Sequence, residues 1–281
     1  MKHLTRVFPT LLISLLAVAC VSTAGRELPV PAQLPTATEV SLPTQRELPL
    51  LTPAGLTVEE YALKDQPTVE PLHFSPLQGS QAGILARHSL ERRRHFLDNS
   101  FFDDMHFSMR VGLGGDTLIA AEEYNQTGSA GWVAVKRSDR EIYRIGIGPG
   151  SPITALRGLW AYDDHWVLET AYITPRREGN AVYHAGVGRI SQDGELLNTY
   201  YAYDEMFGFQ LMAGLPFYFF RQDGMIGFSY AGQVVQAGYD EIPHYGCCSA
   251  GAFNPLMAAN MVAFFAQRNG VWYYVEIGVY K

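Results

Sequence analysis

The chain of 281 residues is poor in cysteine, with three, and poor in charge, with 17% Asp, Glu, Lys and Arg. Three cysteines cannot build the disulfide framework of a small stapled domain. Low charge beside 47% hydrophobic and 12% aromatic residues excludes a disordered chain, a coiled coil and a collagen-like fibre. The phosphate-binding glycine loop, the dinucleotide glycine fingerprint, His-Glu-x-x-His and Gly-x-Ser-x-Gly are all missing. Nothing therefore implies a cofactor or a metal. A net charge of −7 argues against nucleic acid as a partner and against a basic face for anionic membranes.

What is present begins with an address. Lys2, His3 and Arg6 precede an apolar run at residues 7–19, too short for a permanent span, which needs about 20 residues. The run has the form of a secretory signal and ends in Leu16-Ala17-Val18-Ala19-Cys20. That ending resembles a bacterial lipobox, although Ala17 stands where leucine is usual. The resemblance implies a lipoprotein with residues 1–19 removed and Cys20 lipidated, held on the extracytoplasmic face of the cell membrane. An ordinary signal peptide cut near Ala19 or Ala24, releasing a secreted protein, is the alternative. Residues 21–60 contain no aromatic residue but six of the sixteen prolines. Such a stretch lacks the apolar surface to repay ordering and reads as a tether over residues 20–60.

Apart from Phe8, every aromatic residue lies at or beyond Tyr61, so residues 61–281 are the expected globular body. Its apolar segments are short, rich in Val, Ile, Tyr, Phe and Trp, and separated by turn formers. Strands are expected at 131–136, 141–147, 158–162, 165–173, 181–190, 196–203, 216–221, 225–230, 261–267 and 271–279. The separators include Ser138-Asp139, Asp163-Asp164, Asp193-Gly194, Asp223-Gly224 and Asn269-Gly270, which tolerate the positive φ of tight hairpins. The fold class is all-β and antiparallel, with a short helix near residues 81–99 whose Arg92–Arg94 run reads as a solvated face, with a site for an acidic partner as the alternative.

Tyr203-Asp204-Glu205-Met206 recurs as Tyr239-Asp240-Glu241-Ile242, and each copy is followed by a double phenylalanine and a hairpin. Repeated hairpin units point to a β-propeller-like stack. About 220 residues at roughly 45 per unit give about five small blades. A β-sandwich is the alternative. Residues 216–281 also resemble WG-type β-hairpin repeats, with Ile226-Gly227 and Trp272-Tyr273 in place of the signature Trp-Gly. That resemblance supports repeated hairpins and implies no activity.

The second copy carries about nine extra residues, which fit the stretch 247–255, and insertions into repeats map to loops on one face. There lie Cys247 and Cys248, the only thiols left once Cys20 carries lipid. They are buried small hydrophobes, a vicinal disulfide, or part of a ligand or redox loop with His244, Tyr245 and Ser249. Adjacent Cα atoms are about 3.8 Å apart, under the roughly 4.4 Å lower edge of ordinary disulfides, so a vicinal bond would be strained. Metal binding is disfavoured because zinc sites space their cysteines.

Asp103, Asp163, Asp240 and Glu241 are the weak catalytic candidates. Asp163 falls at an expected turn and the Tyr-Asp-Glu triplets at strand ends, so scaffold roles come first. The expectation is a lipid-anchored binding module for a small molecule, glycan or protein. Two alternatives are a hydrolase whose acids come from separate units and a thiol-dependent sensor.

Overall fold

The computed structural model describes residues 45–46, 53, 55–63, 100–103, 106–151, 154–179, 181–245 and 254–279. Two strands come first, β1 (Gln45–Arg46) and β2 (Thr57–Ala62). A meander follows of β3 (Ser100–Asp103), β4 (His106–Leu113), β5 (Asp116–Tyr124), β6 (Gly131–Arg137) and β7 (Arg140–Gly148). The next comprises β8 (Leu156–Tyr162), β9 (His165–Glu178), β10 (Ala181–Gln192) and β11 (Glu195–Leu196), and the helix α1 (Leu197–Tyr201) leads out of it. Then come β12 (Glu205–Met212), β13 (Leu215–Gln222), β14 (Met225–Tyr230) and β15 (Gln233–Tyr239). The last are β16 (Leu256–Met257), β17 (Met261–Arg268) and β18 (Val271–Gly278).

These strands form four antiparallel sheets: sheet I (β3–β7), sheet II (β8–β11), sheet III (β12–β15) and sheet IV, ordered β1-β2-β18-β17-β16. The local cause is turn chemistry. Ser138-Asp139, Asp193-Gly194, Asp223-Gly224 and Asn269-Gly270 all hold two successive positive φ values, from 47° to 89°. That pair of angles matches the twist of the strands it joins. Ala213-Gly214 and Ala231-Gly232 do the same with alanine at φ 50°.

Three apolar clusters lie between successive sheets. Phe107, Leu118, Val135, Leu156 and Leu168 join sheets I and II. Val167, Ile190, Met206, Phe209 and Phe220 join II and III. Phe207, Phe217, Phe219, Phe228, Phe264 and Val275 join III and IV. Each fully buried phenylalanine contributes about 2–3 kcal/mol of transfer free energy. Sheets II and III each pack on two neighbours, so the molecule is not a two-sheet sandwich.

Two expectations need correction. Among the described residues there are four sheets, where about five units were expected. The strand expected at 196–203 ends at Leu196, and α1 follows. There Asn198 replaces a strand partner: its Nδ2 donates to Gly188 O at 3.1 Å and its Oδ1 accepts from Ile190 N–H at 3.0 Å. With the β10 edge satisfied by a side chain, the backbone is free to coil, and Ala202 closes the helix at φ 56°.

Strands β1 to β5, β12, β15 and β16 add to those expected. Leu56 is buried in the core, and β2 pairs with β18 from Thr57↔Gly278 to Ala62↔Tyr273, so sheet IV begins ahead of Tyr61. The first Tyr-Asp-Glu triplet stands where the chain enters sheet III and the second where it leaves that sheet. The Asp204 N–H bonds Arg221 O at 2.9 Å, and the Asp240 N–H bonds Gln267 O at 2.8 Å. The signal segment, Cys20, the 81–99 helix and the loop residues Cys247, Cys248 and Ser249 lie outside the described residues.

Candidate functional site

Four buried glutamates join the sheets. Glu122 of β5 accepts the Leu156 N–H of sheet II at 2.7 Å. Glu169 of β9 accepts the Gly208 and Phe209 N–H groups of sheet III at 3.0 and 2.8 Å. Glu205 of β12 accepts the Gly188 N–H of sheet II at 3.0 Å. Glu60 of β2, fully buried, accepts from Tyr239 of sheet III and from both terminal nitrogens of Arg268. A buried carboxylate is costly unless donors surround it, and each of these meets donors from a neighbouring element. Close backbone approach makes this possible at Gly188, where a Cβ would fall 2.3 Å from Met206 O.

Around Glu205 the junction of sheets II and III opens into a cleft of about 470 Å³. Arg176 comes from β9, Ala185, Gly186 and Val187 from β10, Asp204 and Glu205 from the start of β12, Arg221 from β13, and His244 from beyond β15. His244 is fixed on three sides. Its Nδ1 meets Ile242 O at 2.6 Å, its Nε2 meets Glu205 Oε1 at 3.1 Å, and its ring lies flat on Phe207 at 3.6 Å. The Ile242 carbonyl only accepts, so Nδ1 carries a hydrogen. Arg221 approaches Glu205 Oε2 at 3.5 Å and also donates to Gly224 O and Asp240 O. Burial pushes the Glu205 carboxyl up, but His244, the Gly188 N–H and Arg221 outweigh it and hold the group below the usual carboxylate range.

Beside the cleft, Tyr245 turns into the core at φ 55° and donates to Glu169 Oε1 at 2.5 Å. Arg157 lies over its ring at 4.3 Å. Burial, reinforced by the Glu169 charge, raises this phenol well above its ordinary value.

The residues singled out in the sequence are spread across the fold. Asp103 ends β3 in register with His106. Asp163 sits exposed at the β8–β9 turn with φ 48°. Asp240 accepts the Asn269 N–H at 2.6 Å, tying sheet III to the β17–β18 turn. Glu241 is exposed and its backbone bridges Gln267. Of the singled-out residues with described side chains, only His244 lines the cleft. The structure adds Asp204, Glu205, Arg221 and Arg176, of which the first two were visible as part of the repeated triplet. Among the described residues no group of three His, Cys, Asp or Glu could hold a metal ion, and no helix is long and apolar enough to cross a membrane.

What fold and cleft define is an all-β protein of four antiparallel sheets with a charged opening at one sheet junction. No protein-family model, curated protein or solved structure matches the chain.

Proposed function

We propose that this chain is a lipid-anchored binding module, displayed on the extracytoplasmic face of the membrane, whose small polar ligand enters the cleft between sheets II and III. Its sheets act as the blades of an open propeller-like stack, with β2 and the β17–β18 hairpin tying the two ends of the folded chain into one sheet.

One observation carries the ligand reading. Arg176 and Asp204 line the same cleft, both are exposed, and neither side chain has a partner among the described residues. Beneath them the His244–Glu205–Arg221 network is already satisfied. An unmatched cation and an unmatched anion over a satisfied floor fit a ligand with one anionic group and one hydrogen-bond donor, such as a zwitterion or a hydroxy acid.

Thermal shift of the full chain with a panel of amino acids and hydroxy acids tests this. At least one compound raises the wild-type Tm, and Arg176→Gln abolishes that rise without lowering the ligand-free Tm. A panel with no active compound, or a rise that survives Arg176→Gln, overturns the reading. Anchoring is tested separately by metabolic labelling with palmitate in a bacterial host: Cys20→Ala must remove the label.

A further inference from the structure

We infer that the tyrosines of α1 and its exit form a second binding surface, apart from the cleft, that stacks the ring faces of a neutral carbohydrate. Tyr200 and Tyr201 are 65% and 43% exposed, unusual for rings of this size in a chain that buries so many others. They are held, not loose. Tyr200 meets Tyr201 edge-on at 4.8 Å and 86°. Tyr201 stacks on Tyr203 at 5.6 Å and 26°, and Tyr203 stacks on Phe220 at 4.2 Å and 15°. Phe220 belongs to the cluster between sheets II and III, so the ladder is rooted in the core and its outer rings face water.

The chemistry around the ladder selects the ligand. Tyr162 and Tyr203 pack against the same buried cluster of Phe209 and Phe220 that roots the ladder. Tyr162 donates to Gln192 Oε1 at 3.3 Å and packs on His165, which is paired with Asp193 at 2.6 Å. The charges that act on Tyr162 are the carboxylates Asp193 and Asp163. Arg221 neighbours Phe220 in sequence, but strand alternation sends it to the opposite face, into the cleft. Apart from the His165 ring paired with Asp193, the charges beside Tyr162 are carboxylates, which disfavour acidic peptides, nucleic acids and anionic lipids and accept hydroxyl hydrogens.

Size argues against a protein partner. A stable protein interface buries about 800 Å² on each side around an apolar centre. Among the described residues, Tyr200 and Tyr201 are the exposed large side chains of α1, and the other exposed large hydrophobics, Val182, Tyr183, Leu215, Met225, Val234 and Val271, sit at or near the ends of several different strands. A sugar ring needs no more than a ring face for its C–H side and acceptors for its hydroxyls.

The test is electrophoresis of the full chain through native gels containing hydroxyethyl cellulose, laminarin, galactomannan or glycol chitin. At least one of these neutral polymers retards the wild type. Tyr200→Ala with Tyr201→Ala weakens that affinity by at least about tenfold, while the paired Phe substitutions, which keep the ring faces, retain it. Arg176→Gln leaves retardation unchanged, so failure of the cleft reading and failure of this one are distinguishable. The proposal is overturned if no neutral polymer retards the wild type, if the alanine pair is retarded equally, or if the Phe pair loses binding. It is also overturned if the alanine pair only abolishes self-association of the chain in size-exclusion chromatography.

Discussion

Tyr245 donates its phenolic hydrogen to Oε1 of Glu169 at 2.5 Å across 76 positions of sequence. The bond fixes the start of the loop after β15 to the same carboxylate that holds sheet III through Gly208 and Phe209. His244, one residue earlier, stands on Phe207 and reaches Glu205. The cleft wall and the junction of sheets II and III are therefore one hydrogen-bonded unit, and changes at either should be felt at the other.

Glu169→Ala strands two buried backbone N–H groups and the Tyr245 hydroxyl together. The expected cost is about 3–5 kcal/mol. Urea unfolding monitored by tryptophan fluorescence measures it. Tyr245→Phe should cost less, because the carboxylate keeps both of its backbone donors.

Arg268→Ala leaves the Glu60 carboxylate buried beside Tyr239 with its cation gone. A loss of about 3–5 kcal/mol is expected. Combining it with Glu60→Gln should cost clearly less than the two single changes added, since the uncompensated charge is then absent. A double-mutant cycle in urea decides, and strict additivity would show that the two groups do not act together.

Alkaline stability follows from the two buried phenols. Burial raises Tyr239 and Tyr245 well above the ordinary value of 10.0, with Glu60 and Glu169 adding to the effect. The unfolded chain releases these protons near 10.0 while the folded chain keeps them. Stability therefore falls as pH rises through and beyond that value. Thermal unfolding between pH 8 and about 11 should show a declining Tm, with a shallower decline in Tyr245→Phe.

Glu205 contributes to the acid limb. Its folded carboxyl titrates below the unfolded value of 4.5. The stabilisation is complete above 4.5 and is lost as pH falls through the folded value. Glu205→Gln should flatten the dependence of the urea midpoint on pH in the acid range and narrow the gap between variant and wild type there.

Glu276 behaves oppositely. It faces Glu59 in register across β18 and β2, and burial with the Glu59 charge pushes its carboxyl up in spite of a hydrogen bond from Tyr274. Removing that charge with Glu276→Gln keeps the acceptor for Tyr274 and should stabilise by about 0.5 kcal/mol at neutral pH, read as a higher Tm.

Particular strands show how far the sequence could be read. The segment 225–230 is found as Met225–Tyr230, because alternating apolar residues stand between two turns. β5 escaped notice: Ala120, Ala121, Glu122 and Glu123 have weak strand preference, and the strand exists because β4 and β6 flank it on both edges. β12 escaped too, since a bulge between Phe207 and Gln210 breaks its alternation. In the site, His244 stood out as a neighbour of the cysteine pair, whereas no sequence motif marks Arg176, which the β9–β10 hairpin carries to the cleft.

The sequence alone determined the antiparallel β class and the hairpin turns, because both depend on local φ preferences and on alternation along a few residues. Tertiary structure decided the meaning of the glutamates. Written in a strand, Glu60, Glu122, Glu169 and Glu205 look like surface charges. They are buried because neighbouring sheets bring backbone N–H groups or a tyrosine to each, and β17 of its own sheet brings Glu60 an arginine, donors that only the assembled fold supplies.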